Sequence, residues 1–380
     1  MILSKRALSI KPFIAMDILE AAQKLSGQGH EIFNFGLGEP DLAPPEGIQE
    51  ACIEAIKNGD LKYTHSQGHS SFRNIIAQFY NKNYGVEINP DCIIVTSGTS
   101  PAFFLVFSAL LNPGDEVILP NPYYPCDLNF IEYLGGKAIF LELKEEENYA
   151  WNQKKLESLI SKKTKAILLT SPSNPLGTIA SPSLLAFLAH LDIPIISDEI
   201  YHGLNYVEKD RSMLQFSKKC FVINGFSKSF GMTGYRLGFT IIPPHYVDAF
   251  RKIQQNFFIS ANPFVQAAGA YALTHCVPDL EIRKKIFQKR RDLMIGLLSE
   301  MGLAVRYHPL GAFYLFVDTS SINPNSYELA FQILNKAHVA TTPGIDFGSC
   351  GEGHLRFSYA TDEKKIKTGM TALKNFLKKT

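Results

Sequence analysis

Lys228 and Arg236 stand eight residues apart in the Gly- and Ser-rich stretch FSKSFGMTGYRLG (226–238). A lysine amine in a short polar loop behind a buried strand can form an imine with an aldehyde. An arginine just beyond it can hold an anionic tail on that aldehyde through its fork of N–H donors. Most lysines are solvated surface charges, so the pair gains its meaning from residues elsewhere. SGTSPAFF puts Gly98, Thr99 and Ser100 at a turn that opens a helix, where free backbone N–H groups and the helix dipole favour an anion. An ordinary Ser or Thr cap reads the same way. NPYYP offers Tyr123 or Tyr124 as a flat face for an aromatic ring. SPSNPLG is a rigid turn with the Asn174 amide directed into a crevice. DEIYHG follows a very apolar run with Asp198, a carboxylate that needs a cationic partner there, and sets Tyr201 three residues on.

Two positions join these. HLRFSYA places Arg356 in an expected strand, where a fixed fork can clasp a carboxylate bidentately. NFGLGEPD holds a lone G-x-G that lacks the third Gly and the βαβ context of a dinucleotide site. Close backbone approach to a ligand near Gly38 is the better use. Pyridoxal 5'-phosphate unites an aldehyde, a phosphate, a phenolic oxygen and a flat ring. Its protonated pyridine nitrogen would pair with Asp198 and make the ring an electron sink. Each segment is weak alone; in succession they match the parts of one cofactor.

These residues need elements to hold them. Near-continuous apolar runs at 92–97, 116–120, 137–143, 165–171, 193–197, 220–224 and 238–242 read as strands buried on both faces. Helical patterns follow Ser100, Asp127 and Pro182, so the alternation implies an α/β fold with a mostly parallel seven-stranded sheet. The candidate residues fall just past strand ends, where open α/β sheets bind ligands. From about residue 276 the pattern changes to a long charged helix, strands at AVRYH, AFYLFVD and HLRFSYA, and two further helices. The expected organisation is an N-terminal arm with part of a small domain (1–44), a large cofactor-binding domain (45–275) and a small C-terminal domain (276–380).

Composition narrows the function. The 380 residues are 46% hydrophobic and 19% charged, with a formal net charge of +2, which gives no case for a nucleic-acid partner. The basic run RKKIFQKRRD (283–292) suits the wet face of an amphipathic helix. No apolar run reaches the roughly 18 residues needed to span a bilayer. The six scattered cysteines without C-x-x-C suggest reduced thiols in a cytoplasmic protein. His65 and His69 form H-x3-H, but no third ligand or HExxH context supports a metal.

The blocks FGLGEPD, LKYTHSQG, VTSGTSPA, NPGDEV, SPSNPLG, SDEIYHGL, NGFSKSFGMTGYRLG, GAFYLF, TPGIDFG and HLRFSYA resemble a fold-type I pyridoxal-phosphate enzyme over nearly the whole length. The branch is that of class I/II aminotransferases of the aspartate aminotransferase kind. The resemblance implies that Lys228 binds the cofactor covalently and moves the proton. It implies that Asp198 pairs with the pyridinium, and that Asn174 and Tyr201 meet the phenolic oxygen. Tyr124 would stack on the ring. Thr99, Ser100, Ser227 and Arg236 would hold the phosphate, beside the Gly98 turn. Arg356 would grip the substrate α-carboxylate, with Gly38 and Asn174 assisting.

The resemblance further implies a homodimer in which Tyr63 reaches the partner's phosphate and the N-terminal arm lies near the interface or over the cleft. The substrates would be an α-amino acid and a 2-oxo acid, 2-oxoglutarate foremost. Three positions depart from the pattern: Tyr124 where the branch often has Trp, Tyr235 in MTGYR, and Ser100 where dicarboxylate-specific members often carry Lys. Without that lysine a side-chain carboxylate loses its expected partner, and the aromatic content near NPYYP and NFFISANPF suits an uncharged side chain at least as well. A broad preference is therefore expected rather than strict aspartate specificity. A pyridoxal-phosphate lyase acting on C–S bonds would use the same Lys228, Asp198 and Arg236. A cofactor-binding regulator without turnover is a third possibility, disfavoured because no DNA-binding extension precedes the N-terminal block.

Overall fold

The computed structural model describes residues 3–379; the first two residues of the expected arm and the last of the C-terminal segment lie outside it. In chain order the strands are β1 (Phe33–Asn34), β2 (Ile93–Thr96), β3 (Glu116–Asn121), β4 (Lys137–Glu142), β5 (Thr164–Thr170) and β6 (Ile195–Asp198). They continue with β7 (Cys220–Gly225), β8 (Gly238–Ile241), β9 (Tyr314–Asp318), β10 (Val339–Ala340), β11 (Thr342–Pro343) and β12 (His354–Ser358). The seven apolar runs form one sheet in the order β2-β8-β7-β6-β5-β3-β4. Only β8 runs antiparallel to its neighbours.

The continuous apolar character of these runs has a direct cause. Ile93, Val95, Ile167, Leu169 and Ile195 pack on one face of the sheet. Their neighbours Ile94, Ala166, Leu168 and Ile196 pack on the other. Successive side chains point to opposite faces, and both faces are covered by helices. The parallel strands end level: Thr170 is opposite Asp198, and Asp198 opposite Ile223. This register brings the turns after β5, β6 and β7 to one rim.

The second sheet, β11-β12-β9, is antiparallel, with Arg356 of β12 between Thr342 and Phe316. Around it lies a separate apolar cluster containing Leu315, Val317, Leu355 and Phe357. Residues from the start of the chain join that cluster, among them Ile18, Ala22, Phe33 and Phe35. Strand β1 pairs in parallel with β10.

Two expectations fail. AVRYH is not a strand; the Tyr307 hydroxyl, not a backbone ladder, meets β9 by accepting from the Phe316 N–H at 3.2 Å. The basic run is not simply a wet face. Arg283, Arg290 and Arg291 of the helix Asp279–Ser299 are buried. Their i, i+7, i+8 spacing puts them on one inward stripe. Each has partners inside: Arg283 donates to the carbonyls of Ala43 and Leu42, Arg290 forms a two-pronged pair with Asp41, and Arg291 donates to the Pro309 carbonyl. Three arginines thus tie residues 41–43, just beyond GLGE, and Pro309 to this helix.

Candidate active site

The rim turns and the small sheet enclose a cavity of about 620 Å³. Lys228, Asp198, Tyr201, Asn174, Tyr124, Thr99, Ser100, Ser227, Arg236, Gly38 and Arg356 all line it. Gly98 stands immediately beside it. Tyr63 is not among the lining residues and is 87% exposed. Of the two tyrosines in NPYYP, Tyr123 stacks on Phe140 (5.2 Å between ring centres), whereas Tyr124 faces the cavity.

Lys228 follows β7 by three residues, and its Nζ donates to the Gly38 carbonyl at 2.7 Å. Desolvation, then the positive charge of Arg356, lowers its pKa from the ordinary lysine value to about 8. That leaves a substantial neutral, nucleophilic fraction near neutral pH. A Cβ on Gly38 would collide with the Tyr314 hydroxyl, so only glycine lets this carbonyl reach the lysine.

Asp198 is the last residue of β6 and is buried. Its one protein hydrogen bond is from the Ile200 N–H to Oδ1 at 3.2 Å. Burial pushes its pKa up to about 7, only partly offset by that bond. A cation set against this carboxylate would reverse the cost. Tyr201 lies in a turn rather than a helix, and its hydroxyl is 2.9 Å from that of Tyr314.

The anion end is built from backbone. Gly98 caps the helix Thr99–Leu110 at φ +93°, and no side chain caps that helix start. A Cβ at Gly98 would lie 2.5 Å from Arg236 Nη2. The uncapped helix turn and the guanidinium therefore form a cradle that a larger residue would fill.

Across the cavity Arg356 is almost fully buried. Nη1 donates to Asn174 Oδ1 at 2.9 Å, and Nη2 to the Gly36 carbonyl at 2.6 Å and Thr342 Oγ1 at 3.2 Å. The rings of Tyr314 and Phe347 sandwich the guanidinium at 4.4 and 4.8 Å. Its Nε has no protein partner. Sequence reasoning missed Tyr314, Thr342 and Phe347. All three lie in the GAFYLF and TPGIDFG blocks, but nothing in their types marks them as supports. The helix Ile14–Gly27 adds Ala15, Met16 and Leu19 to the cavity, with Phe13 just before it. Asp346 anchors its start by accepting from the Ile14 and Ala15 N–H groups at 3.0 and 3.1 Å.

Pyridoxal 5'-phosphate fits this arrangement on three observations: the Gly98–Arg236 cradle, the buried Asp198 without a cation in contact, and a desolvated lysine lining the same cavity. The fold and cavity are those of a fold-type I pyridoxal-phosphate transferase. A family profile described as aminotransferase class I and II matches residues 30–373. A (5-formylfuran-3-yl)methyl phosphate transaminase of Methanocaldococcus jannaschii is 40% identical, over 99% of this chain and all of that protein. The aspartate/prephenate aminotransferase of Thermus thermophilus is 33% identical over 97% of each chain. The solved structure of the Thermus thermophilus aspartate aminotransferase with maleate superimposes with a TM-score of 0.95 at 32% identity, covering 99% of both chains. The chain belongs to the class I and II aminotransferases and is a pyridoxal-phosphate-dependent aminotransferase. Among the described residues, no helix is long and apolar enough to cross a membrane.

Proposed function

We propose that this enzyme moves the amino group of an α-amino acid with an uncharged side chain to a 2-oxo acid, with 2-oxoglutarate the first acceptor to test. The observation that carries the reading is the convergence of the Lys228 amine, the Asp198 carboxylate and the Arg356 guanidinium on one cavity. When bound, the cofactor supplies the electron sink that makes the substrate Cα–H acidic. Lys228 holds the cofactor and moves the proton at Cα, for which a pKa near 8 suits it. Asp198 keeps the pyridine nitrogen protonated. Asn174 and Tyr201 orient the phenolic oxygen, and Tyr124 covers the ring. Gly98, Thr99, Ser100, Ser227 and Arg236 hold the phosphate. Arg356, pre-set by Asn174 and two ring faces, grips the substrate carboxylate, with the Gly38 backbone beside it.

Selectivity follows from the remaining wall. Phe13, Ala15, Met16, Leu19, Leu37, Phe103 and Phe130 are apolar, and the position expected to carry a charge-reading lysine is Ser100. A side-chain carboxylate placed there would lose water without gaining a cation. The Methanocaldococcus jannaschii relative is named for a flat aromatic aldehyde bearing a phosphate, which makes that compound a second acceptor to test.

The working unit we infer is a cytoplasmic homodimer. Tyr63 is a large aromatic left 87% exposed on a turn-prone segment, and it would reach the partner's phosphate. Residues 45–275 would form the cofactor domain and 276–380, with 1–44, the smaller domain. A spectrophotometric half-reaction screen tests the substrate reading. Neutral and aromatic amino acids should convert the cofactor band faster than aspartate. Aspartate ahead by orders of magnitude would contradict it, as would pyruvate and ammonia released from cystathionine without a keto acid.

A further inference from the structure

Asp127 sits in the first turn of the helix Pro125–Tyr133, three residues after the ring-facing Tyr124. Acidic residues in a first turn ordinarily stay ionised, near the surface, against the helix dipole. This one is 2% exposed, and its Oδ1 is buried without any hydrogen-bond partner. Its side chain lines an inner cavity of about 540 Å³ with Tyr124, Thr170 and Asn174, three residues that also line the Lys228 cavity. Asp198 stands opposite Thr170 at the end of the next strand. Both carboxyls are thus buried and stand next to Thr170, with one expected cation near them, the pyridinium. Both cannot ionise cheaply in one apolar setting.

We propose that Asp127 is a positioning residue of the cofactor site: an un-ionised carboxyl that directs its proton toward Asp198 and so holds Asp198 as the sole anion facing the pyridine nitrogen. This rests on the reading of Asp198 given above. The surrounding groups agree. Burial, then the negative charge of Asp198, pushes the Asp127 pKa well above the carboxylate range. On its own helix it faces Tyr124 and Cys126, whose own pKa values are raised by burial, so neither supplies a compensating charge. Asp346, from the turn at Gly344–Phe347, brings a further carboxyl near Cys126. The cations of the Lys228 cavity, Lys228, Arg236 and Arg356, donate to Gly38, Thr233 and Asn174.

The test uses the holoenzyme and reads cofactor retention and the visible absorption band against pH. Asp127→Asn keeps a neutral donor, so retention and the band at neutral pH should match the wild type. Asp127→Ala removes the donor and should weaken retention about tenfold, the worth of one hydrogen bond to a charged group, with a shifted band. Asn as damaging as Ala would mean that an ionised Asp127 is required, and would overturn the inference. Ala indistinguishable from wild type would also overturn it. Should the Ala variant fail to fold, infrared difference spectra between wild-type and Asp127→Asn holoenzymes decide. A protonated-carboxyl stretch lost in Asn supports the proposal, and its absence from the wild type contradicts it. Asp198→Ala separates the two readings. An unchanged band there overturns the assignment of Asp198 itself, whereas a changed band beside a silent Asp127→Ala overturns the Asp127 inference alone.

Discussion

The rim of the large sheet and the wall of the small sheet treat their charges in opposite ways. At the rim, Asp198 has one backbone N–H, Lys228 one carbonyl and Arg236 one carbonyl, that of Thr233 at 3.0 Å. On the wall, Arg356 has three acceptors and two aromatic faces. The rim groups are under-partnered, and burial moves the pKa values of Asp198 and Lys228, so they gain most from a ligand that supplies the missing charge. Arg356 is already rigid and leaves little beyond its Nε unclaimed. On the function proposed above, one region takes up the cofactor and the other presents a fixed fork to a substrate that comes and goes.

Breaking the rim should cost more than bending the wall. Lys228→Ala should lower transamination by roughly 10³-fold or more in single-turnover assays, since the proton at Cα loses its carrier. Asp198→Ala should cost about 100-fold in kcat with the fold intact by circular dichroism, because the preorganised charge at the pyridine nitrogen is gone. Arg356→Lys exchanges a fork for a point charge. It should raise KM about tenfold with a smaller effect on kcat. Equal losses in Arg356→Lys and Asp198→Ala would erase the distinction between the two regions.

Smaller effects sharpen the picture. Tyr63→Phe should weaken cofactor retention about tenfold, measured by dialysis. An active monomer in sedimentation would contradict the shared site. In the apoprotein, Asp198 has a folded pKa of about 7, above its unfolded value. Its contribution to stability is therefore present below about pH 4 and lost as pH rises through 7. Lys228, lowered to about 8, contributes above about pH 10 and loses that as pH falls through 8. Replacing Asp198 by Asn should flatten the melting profile of the apoprotein between pH 4 and 7.

How much of this was legible beforehand follows the same division. The rim could be read because strand ends and their turns are local: SGTS, SPSN, SDEIY and FSKS each carry their chemistry within a few residues. All seven apolar runs are strands of one sheet for the same reason. The wall could not be read as well. The supports of Arg356 come from Gly36, Asn174, Tyr314, Thr342 and Phe347, spread over more than half the chain. The inward arginines 283, 290 and 291 misled because a charged stripe and an apolar stripe share one spacing, and only the tertiary partners at 41–43 and 309 tell them apart. Asp127 gave no sequence signal, since a first-turn Asp is common on any exposed helix.

The central claim is that Lys228 is the residue that holds the cofactor. Borohydride reduction of the loaded enzyme, followed by proteolysis and mass mapping, tests it directly. A single pyridoxyl-phosphate label is expected, on the peptide containing Lys228, and none in Lys228→Ala. A stoichiometric label on any other lysine, with Lys228 unmodified, would contradict it.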